Sequence, residues 1–143
     1  MENSKKKLNV LFLCTGNSCR SQMAQGWAEK LKSNCIQAFS AGVAPARLSQ
    51  TAVEVMRQAG VDISKHYSKH VDELSGIDFD YVVTVCDNAK EHCPVFSGKV
   101  KMVHKSFEDP TSLITGKEEK LQKFRNARDQ IRDFVEKMPE NLQ

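Results

Sequence analysis

No stretch of the 143-residue sequence approaches the length needed to cross a membrane, which takes about 20 apolar residues. The near-continuous apolar stretch after Lys5-Lys6-Lys7, Leu8 to Leu13, is six residues long, and no small residue precedes Cys14. A secretory signal needs roughly seven to fifteen apolar residues and a small-residue cleavage site, so the expectation is a cytoplasmic protein with no membrane partner. Charge of one sign is also scarce: 21 Lys and Arg against 18 Asp and Glu leave a net +3, too mild to indicate a nucleic-acid binder. Repeats, low-complexity segments and interdomain linkers are lacking. The cysteines number five, Cys14, Cys19, Cys35, Cys86 and Cys93, an odd set that argues against a disulfide scaffold and for thiol chemistry in a reducing compartment.

What is present reads as strands alternating with helices. Leu8 to Leu13 is a run suited to a parallel strand covered on both faces. Met23, Trp27, Ala28 and Leu31 follow at helical spacing, then Ile36 to Ser40 reads as a strand ending at Ala41-Gly42. Ser49 is a plausible cap for a helix carrying Ala52, Val53, Met56 and Ala59, which Gly60 stops. Residues 61–74 are irregular and polar. Tyr81 to Val85 is a strong β signal, Lys99 to His104 a weaker one, and Leu121, Phe124, Ile131, Phe134 and Val135 mark a long helix from Lys117 to Met138. The expected fold is a single-domain, doubly wound α/β structure with a parallel sheet over residues 8–138, between a basic disordered tail at 1–7 and a C-terminal tail at 139–143. Ligands of such sheets bind beyond the carboxyl ends of the strands. Cys14 and Cys86, 72 positions apart, both follow such ends.

The segment Cys14-Thr15-Gly16-Asn17-Ser18-Cys19-Arg20 stands between the first strand and first helix. A loop of small residues at a helix start collects unpaired amides that favour an anion. Gly16 is expected to take a backbone angle closed to side chains, and Asn17 to tolerate the left-handed region. Arg20 adds a planar, two-pronged donor for a tetrahedral oxyanion. Cys14, at the centre of this cradle, is expected to be a nucleophile with a lowered pKa. Ser21 either hydrogen-bonds its sulfur or caps the helix.

With Asp109-Pro110 downstream, Cys14 through Ser21 resembles the low-molecular-weight tyrosine phosphatase fold. CTGNSCRSQMAQGW, FSAG (39–42), GVDIS (60–64), VVTVCDNAKEHCP (82–94) and FEDP (107–110) resemble the thioredoxin-coupled arsenate reductases within it. The resemblance covers about residues 8–137 and implies a four-stranded parallel sheet flanked by helices. It further implies reduction of arsenate to arsenite by a relay. Cys14 attacks arsenate bound by residues 15–20, Asp109 protonates the departing oxygen, Cys86 attacks Cys14, and Cys93 attacks Cys86. Thioredoxin, near −270 mV, is the implied electron donor.

On a regular helix the Cα atoms of Cys86 and Cys93 would be about 10.5 Å apart, whereas a disulfide needs about 4.4 to 6.8 Å. A bridge between them therefore requires residues 86–93 to unwind or loop out. The two thiols could instead be unrelated, and Cys86, His92, Cys93 and His104 could bind zinc, although their spacing fits no common zinc pattern. The role of Cys19 stays open, and Cys35 matches no motif. Some relatives hold potassium beside the loop through positions matching Asn17 and Ser40 and three others. Here those three are Gln25, Tyr67 and Lys69, so no potassium site, metal or other cofactor is expected, with Lys69 supplying the charge. A monomer is expected. The alternative is a low-molecular-weight protein-tyrosine phosphatase, against which stands Thr111-Ser112 in place of a tyrosine near Asp109-Pro110; weak phosphatase side activity is expected in either case.

Overall fold

The computed structural model describes residues 6–96, 98–112 and 116–143; residues 1–5, most of the expected tail, lie outside them. Four strands, β1 (Leu8–Cys14), β2 (Ile36–Gly42), β3 (Tyr81–Thr84) and β4 (Lys101–His104), alternate with helices α1 (Arg20–Leu31), α2 (Gln50–Gln58), α3 (Asp87–Glu91) and α4 (Lys117–Glu136). All neighbouring strands are parallel, in the order β2-β1-β3-β4. This is the expected four-stranded α/β architecture.

Central β1 explains the apolar opening run: Val10, Leu11, Phe12 and Leu13 are all fully buried. Each such side chain contributes about 1.5–3 kcal/mol on burial. The edge strand β4 presents mostly exposed residues, which is why its sequence signal is weak. Helix α1 packs on β1 and β2 and against α4, which also touches α2. Phe124, Ala127, Ile131 and Val135 form the buried stripe of α4. In α1, Met23, Trp27 and Ala28 are buried, but Leu31, read as part of that stripe, is 36% exposed at the helix end. Ser49 caps α2 by accepting a hydrogen bond from the Ala52 amide.

Two segments differ from the expected course. Residues 71–74 form a 3₁₀ turn within the polar segment, capped by His70, whose ring nitrogen accepts from the Asp72 amide. At the C-terminus, residues 140–142 make another such turn and Leu142 is buried in the core. No helix among the described residues is long and apolar enough to cross a membrane.

From β1 the chain passes through α1 to β2 on one side, then crosses back to β3 on the other. The reversal opens a crevice at the carboxyl ends of β1 and β3, where ligands of such sheets bind.

Candidate functional site

At that crevice Leu13 pairs with Thr84, and the Val85 amide donates to the Leu13 carbonyl at 2.9 Å. This register brings the residues that follow, Cys14 and Cys86, to one rim. Both are buried, and the Thr15 hydroxyl lies 3.4 Å from Cys86 Sγ. Cys14, Thr15, Gly16, Ser18, Cys19, Arg20, Asp109 and Thr111 line a cavity of about 190 Å³. The oxyanion-loop residues and the candidate acid thus share one pocket.

The loop owes its shape to Asn17 rather than to Gly16. Asn17 has φ of 52°, whereas Gly16 lies outside the left-handed region, contrary to the reading of its role. Fully buried Asn17 is held from several directions: its Oδ1 accepts from the Lys69 amide (3.0 Å) and Gln22 Nε2 (3.1 Å), and its carbonyl accepts from Ser68 Oγ (2.7 Å) and Gln22 Nε2 (3.0 Å). These contacts hold a conformation that costs a non-glycine residue about 1–3 kcal/mol. Gly42, at the end of β2, backs the loop. A Cβ there would stand 3.0 Å from the Asn17 amide nitrogen and nearer still to the Thr15 carbonyl oxygen.

Ser21 proves to be a partner of the sulfur and not the cap, since the residue before the helix is Cys19. Its hydroxyl lies 2.9 Å from Cys14 Sγ and accepts from Asn17 Nδ2 at 2.8 Å. The Asn17 amide also donates to Cys14 Sγ at 3.1 Å. Burial nevertheless pushes the Cys14 thiol up, and the bonds from Ser21 and Asn17 oppose it only in part. The expected lowering is therefore not found, because desolvation of a thiolate outweighs its hydrogen bonds. Cys19 is likewise raised by burial, against hydrogen bonds with Ser18 and Ser49.

Arg20 Nη1 donates to the Phe107 carbonyl at 3.0 Å, tying the start of α1 to the segment that carries Asp109. Asp109 Oδ1 accepts from the Thr111 amide (2.9 Å) and hydroxyl (2.6 Å). Partial burial raises its carboxyl, but the Thr111 bonds and the Arg20 charge outweigh that and hold it below the usual carboxylate range.

Beside the loop, Lys69 is buried and its Nζ donates to the Ser40 carbonyl at 3.1 Å, 4.6 Å from the centre of the Tyr67 ring. Burial lowers its pKa, with Glu73 and Glu29 opposing. Ser40 Oγ donates to Gln25 Oε1 at 2.6 Å.

Cys86 precedes α3, a short helix the polar sequence did not reveal, and Cys93 follows it, half-buried and pushed up by burial. Asn88 Nδ2 donates to Thr15 Oγ1 at 2.8 Å, so α3 rests on the oxyanion loop. Among the described residues no three His, Cys, Asp or Glu side chains gather as a metal site. Of the four considered as zinc ligands, His104 is engaged by Thr84 and Asp87 instead. Sequence reasoning also missed Gln22 and His66. Gln22 Nε2 reaches Asn17 and the Tyr67 carbonyl, while His66 lies between Gln22 Oε1 (3.0 Å) and Glu29 Oε1 (3.1 Å). The only local hint of this chain was a glutamine two positions after Arg20.

Residues 9–143 match the family described as low molecular weight phosphotyrosine protein phosphatase. The arsenate reductase of Bacillus licheniformis is 40% identical over 134 residues, covering 94% of this chain and 96% of that protein. That of Bacillus subtilis is 39% identical over 131 residues, covering 92% and 94%. Among solved structures, an arsenate reductase in the phosphate binding state gives a TM-score of 0.73 at 30% identity, covering 95% of this chain and 99% of that one. A low molecular weight protein tyrosine phosphatase from T. tengcongensis gives 0.76 at 28% identity, covering 94% and 99%.

Proposed function

The chain belongs to the low molecular weight phosphotyrosine protein phosphatase family, and from that premise we propose that it reduces arsenate to arsenite through Cys14, Cys86 and Cys93, with thioredoxin as electron donor. The observation that carries this reading is the pair of thiols, Cys14 and Cys86, at the ends of two adjacent parallel strands with the Thr15 hydroxyl beside the second sulfur. A phosphatase would need only the first. The names of the relatives favour the same reading.

In this mechanism arsenate enters the pocket against the loop amides and Arg20. A dianion beside Asp109 raises the carboxyl it faces, so a proton shared between them serves the departing oxygen. Attack by the Cys14 thiolate forms a sulfur–arsenic bond as water leaves. Cys86 then attacks the Cys14 sulfur. The S–S bond forms, the sulfur–arsenic pair stays on arsenic, As(V) becomes As(III), and arsenite departs. Cys93 attacks Cys86, freeing Cys14 and leaving a Cys86–Cys93 bridge that thioredoxin returns to two thiols. Potassium has no place in the scheme: the Lys69 ammonium supplies the positive charge beside Ser40. The enzyme works as a cytoplasmic monomer without nucleic-acid or membrane partners.

The phosphatase reading predicts a different outcome from the same protein. Thioredoxin-dependent NADPH consumption on adding arsenate, abolished after one turnover by Cys93→Ser with a trapped Cys14–Cys86 disulfide, is the expected result. Sustained turnover by that variant would refute the relay. Weak hydrolysis of small aryl phosphates is expected and does not separate the two readings.

A further inference from the structure

At the start of α3, three side chains from three elements form a hydrogen-bonded line. The Thr84 hydroxyl, at the end of β3, lies 2.7 Å from His104 Nδ1, at the end of β4. His104 Nε2 lies 3.0 Å from Oδ1 of Asp87, the first residue of α3. With Nε2–H donating to the carboxylate, Nδ1 accepts the Thr84 proton, and a neutral ring is satisfied at both ends. The strand end of this line is fixed, because Thr84 is buried and stands in register with both Leu13 and His104. The helix end is exposed: the Asp87 side chain is 79% accessible.

Helix α3 has little else to hold it. Ala89 is buried and Asn88 reaches Thr15, while Asp87, Asn88, Lys90 and Glu91 are exposed. A Cys86–Cys93 disulfide requires the two Cα atoms to approach within about 4.4–6.8 Å, whereas seven residues of regular helix span about 10.5 Å, so the helix at 87–91 between them stands against the bridge. Cys86 is anchored next to β3 by the Val85–Leu13 hydrogen bond, so the movement falls on residues 87–93.

We propose that His104 is a positioning residue for the disulfide step: its bond to Asp87 holds α3, between Cys86 and Cys93, in place and biases the Cys86/Cys93 couple toward the dithiol. This deepens the thiol relay proposed above and rests on it. The balance is simple. Oxidation removes two electrons and two protons from the two thiols and forms one S–S bond, and any contact present only in the dithiol form favours reduction. The effect on turnover is an easier return of the bridge to thiols by the donor. Because the Asp87 end is exposed, the contact is modest in size.

The experiment equilibrates the Cys14→Ser protein with oxidised and reduced dithiothreitol, which takes up or gives the electrons and protons, and identifies the bridge by peptide mass mapping. Asp87→Ala is expected to shift the equilibrium about threefold toward the disulfide, equivalent to about 14 mV at about 29.6 mV per tenfold. Asp87→Asn, whose amide oxygen still accepts from Nε2–H, should restore most of it. Adding His104→Gln to Asp87→Ala should shift it no further. In the fully reduced protein with all cysteines present, amide exchange across residues 87–92 should quicken about threefold in Asp87→Ala. His104→Gln alone leaves the buried Thr84 hydroxyl short of its partner and risks misfolding, whereas Asp87→Ala changes only an exposed side chain. An unchanged equilibrium in Asp87→Ala, or a further shift in the double variant, overturns the proposal. If no Cys86–Cys93 bridge forms in any variant, the relay fails, and the exchange rates alone decide whether His104 holds the helix.

Discussion

The Ser21 hydroxyl sits 2.9 Å from Cys14 Sγ while accepting a hydrogen bond from Asn17 Nδ2, which leaves the serine proton facing the sulfur. Ser21 is therefore the foremost side-chain stabiliser of the thiolate against the burial that disfavours it. Ser21→Ala removes that donor, so the Cys14 pKa should rise further and the thiolate fraction at neutral pH should fall. The pH profile of Cys14 alkylation by iodoacetamide is expected to move to higher pH in the variant. A superimposable profile would contradict this. The Asn17 side-chain Nδ2, left without its acceptor, should also cost about 1–3 kcal/mol of stability.

Asp109 is held below the usual carboxylate range by Thr111 and Arg20 despite its partial burial. In the free protein it is thus ionised throughout the neutral range, and protonation appears only as pH falls below ordinary carboxylate values. Asp109→Asn should slow single-turnover formation of the Cys14 adduct by about 10²-fold or more, the usual scale of general-acid loss, with the pH profile of Cys14 alkylation little changed. Retention of the full single-turnover rate would remove Asp109 from the mechanism.

Lys69 Nζ donates to the Ser40 carbonyl, next to the Asn17 whose Oδ1 receives the Lys69 amide. Replacing potassium by sodium in the assay should change the rate of arsenate reduction less than twofold. A several-fold activation by potassium would show that a cation other than the lysine ammonium completes the site.

Gly42 lies where a side chain would collide with the Thr15 carbonyl and crowd the Asn17 amide. Both contacts are rigid backbone, so Gly42→Ala should push the oxyanion loop outward. The expected loss of stability is about 1–3 kcal/mol, the scale of overpacking, with kcat/KM for arsenate falling by more than the thermal shift accounts for. A variant with normal kcat/KM would mean that the loop has room the structure does not show.

The sequence alone determined the alternation of strands and helices, the position of the oxyanion loop and the rim shared by Cys14 and Cys86, because these follow from periodicity and from what succeeds each strand. Buried β1 and the α4 stripe were legible for the same local reason. Helix α3 was not: four polar residues around a single alanine carry no apolar period, and the helix rests on Ala89 and on contacts from Thr15 and His104. Only the tertiary structure decided that Asn17 rather than Gly16 bears the left-handed turn, that Ser21 faces the sulfur, and that burial outweighs the hydrogen bonds on Cys14. The turn at Asn17 depends on Ser68 and Lys69, 51 and 52 positions away, and the course of α3 on His104, 17 positions from Asp87. Hydrogen-bond competition and desolvation are properties of the packed surroundings, so they came into view only once those distant segments were in contact.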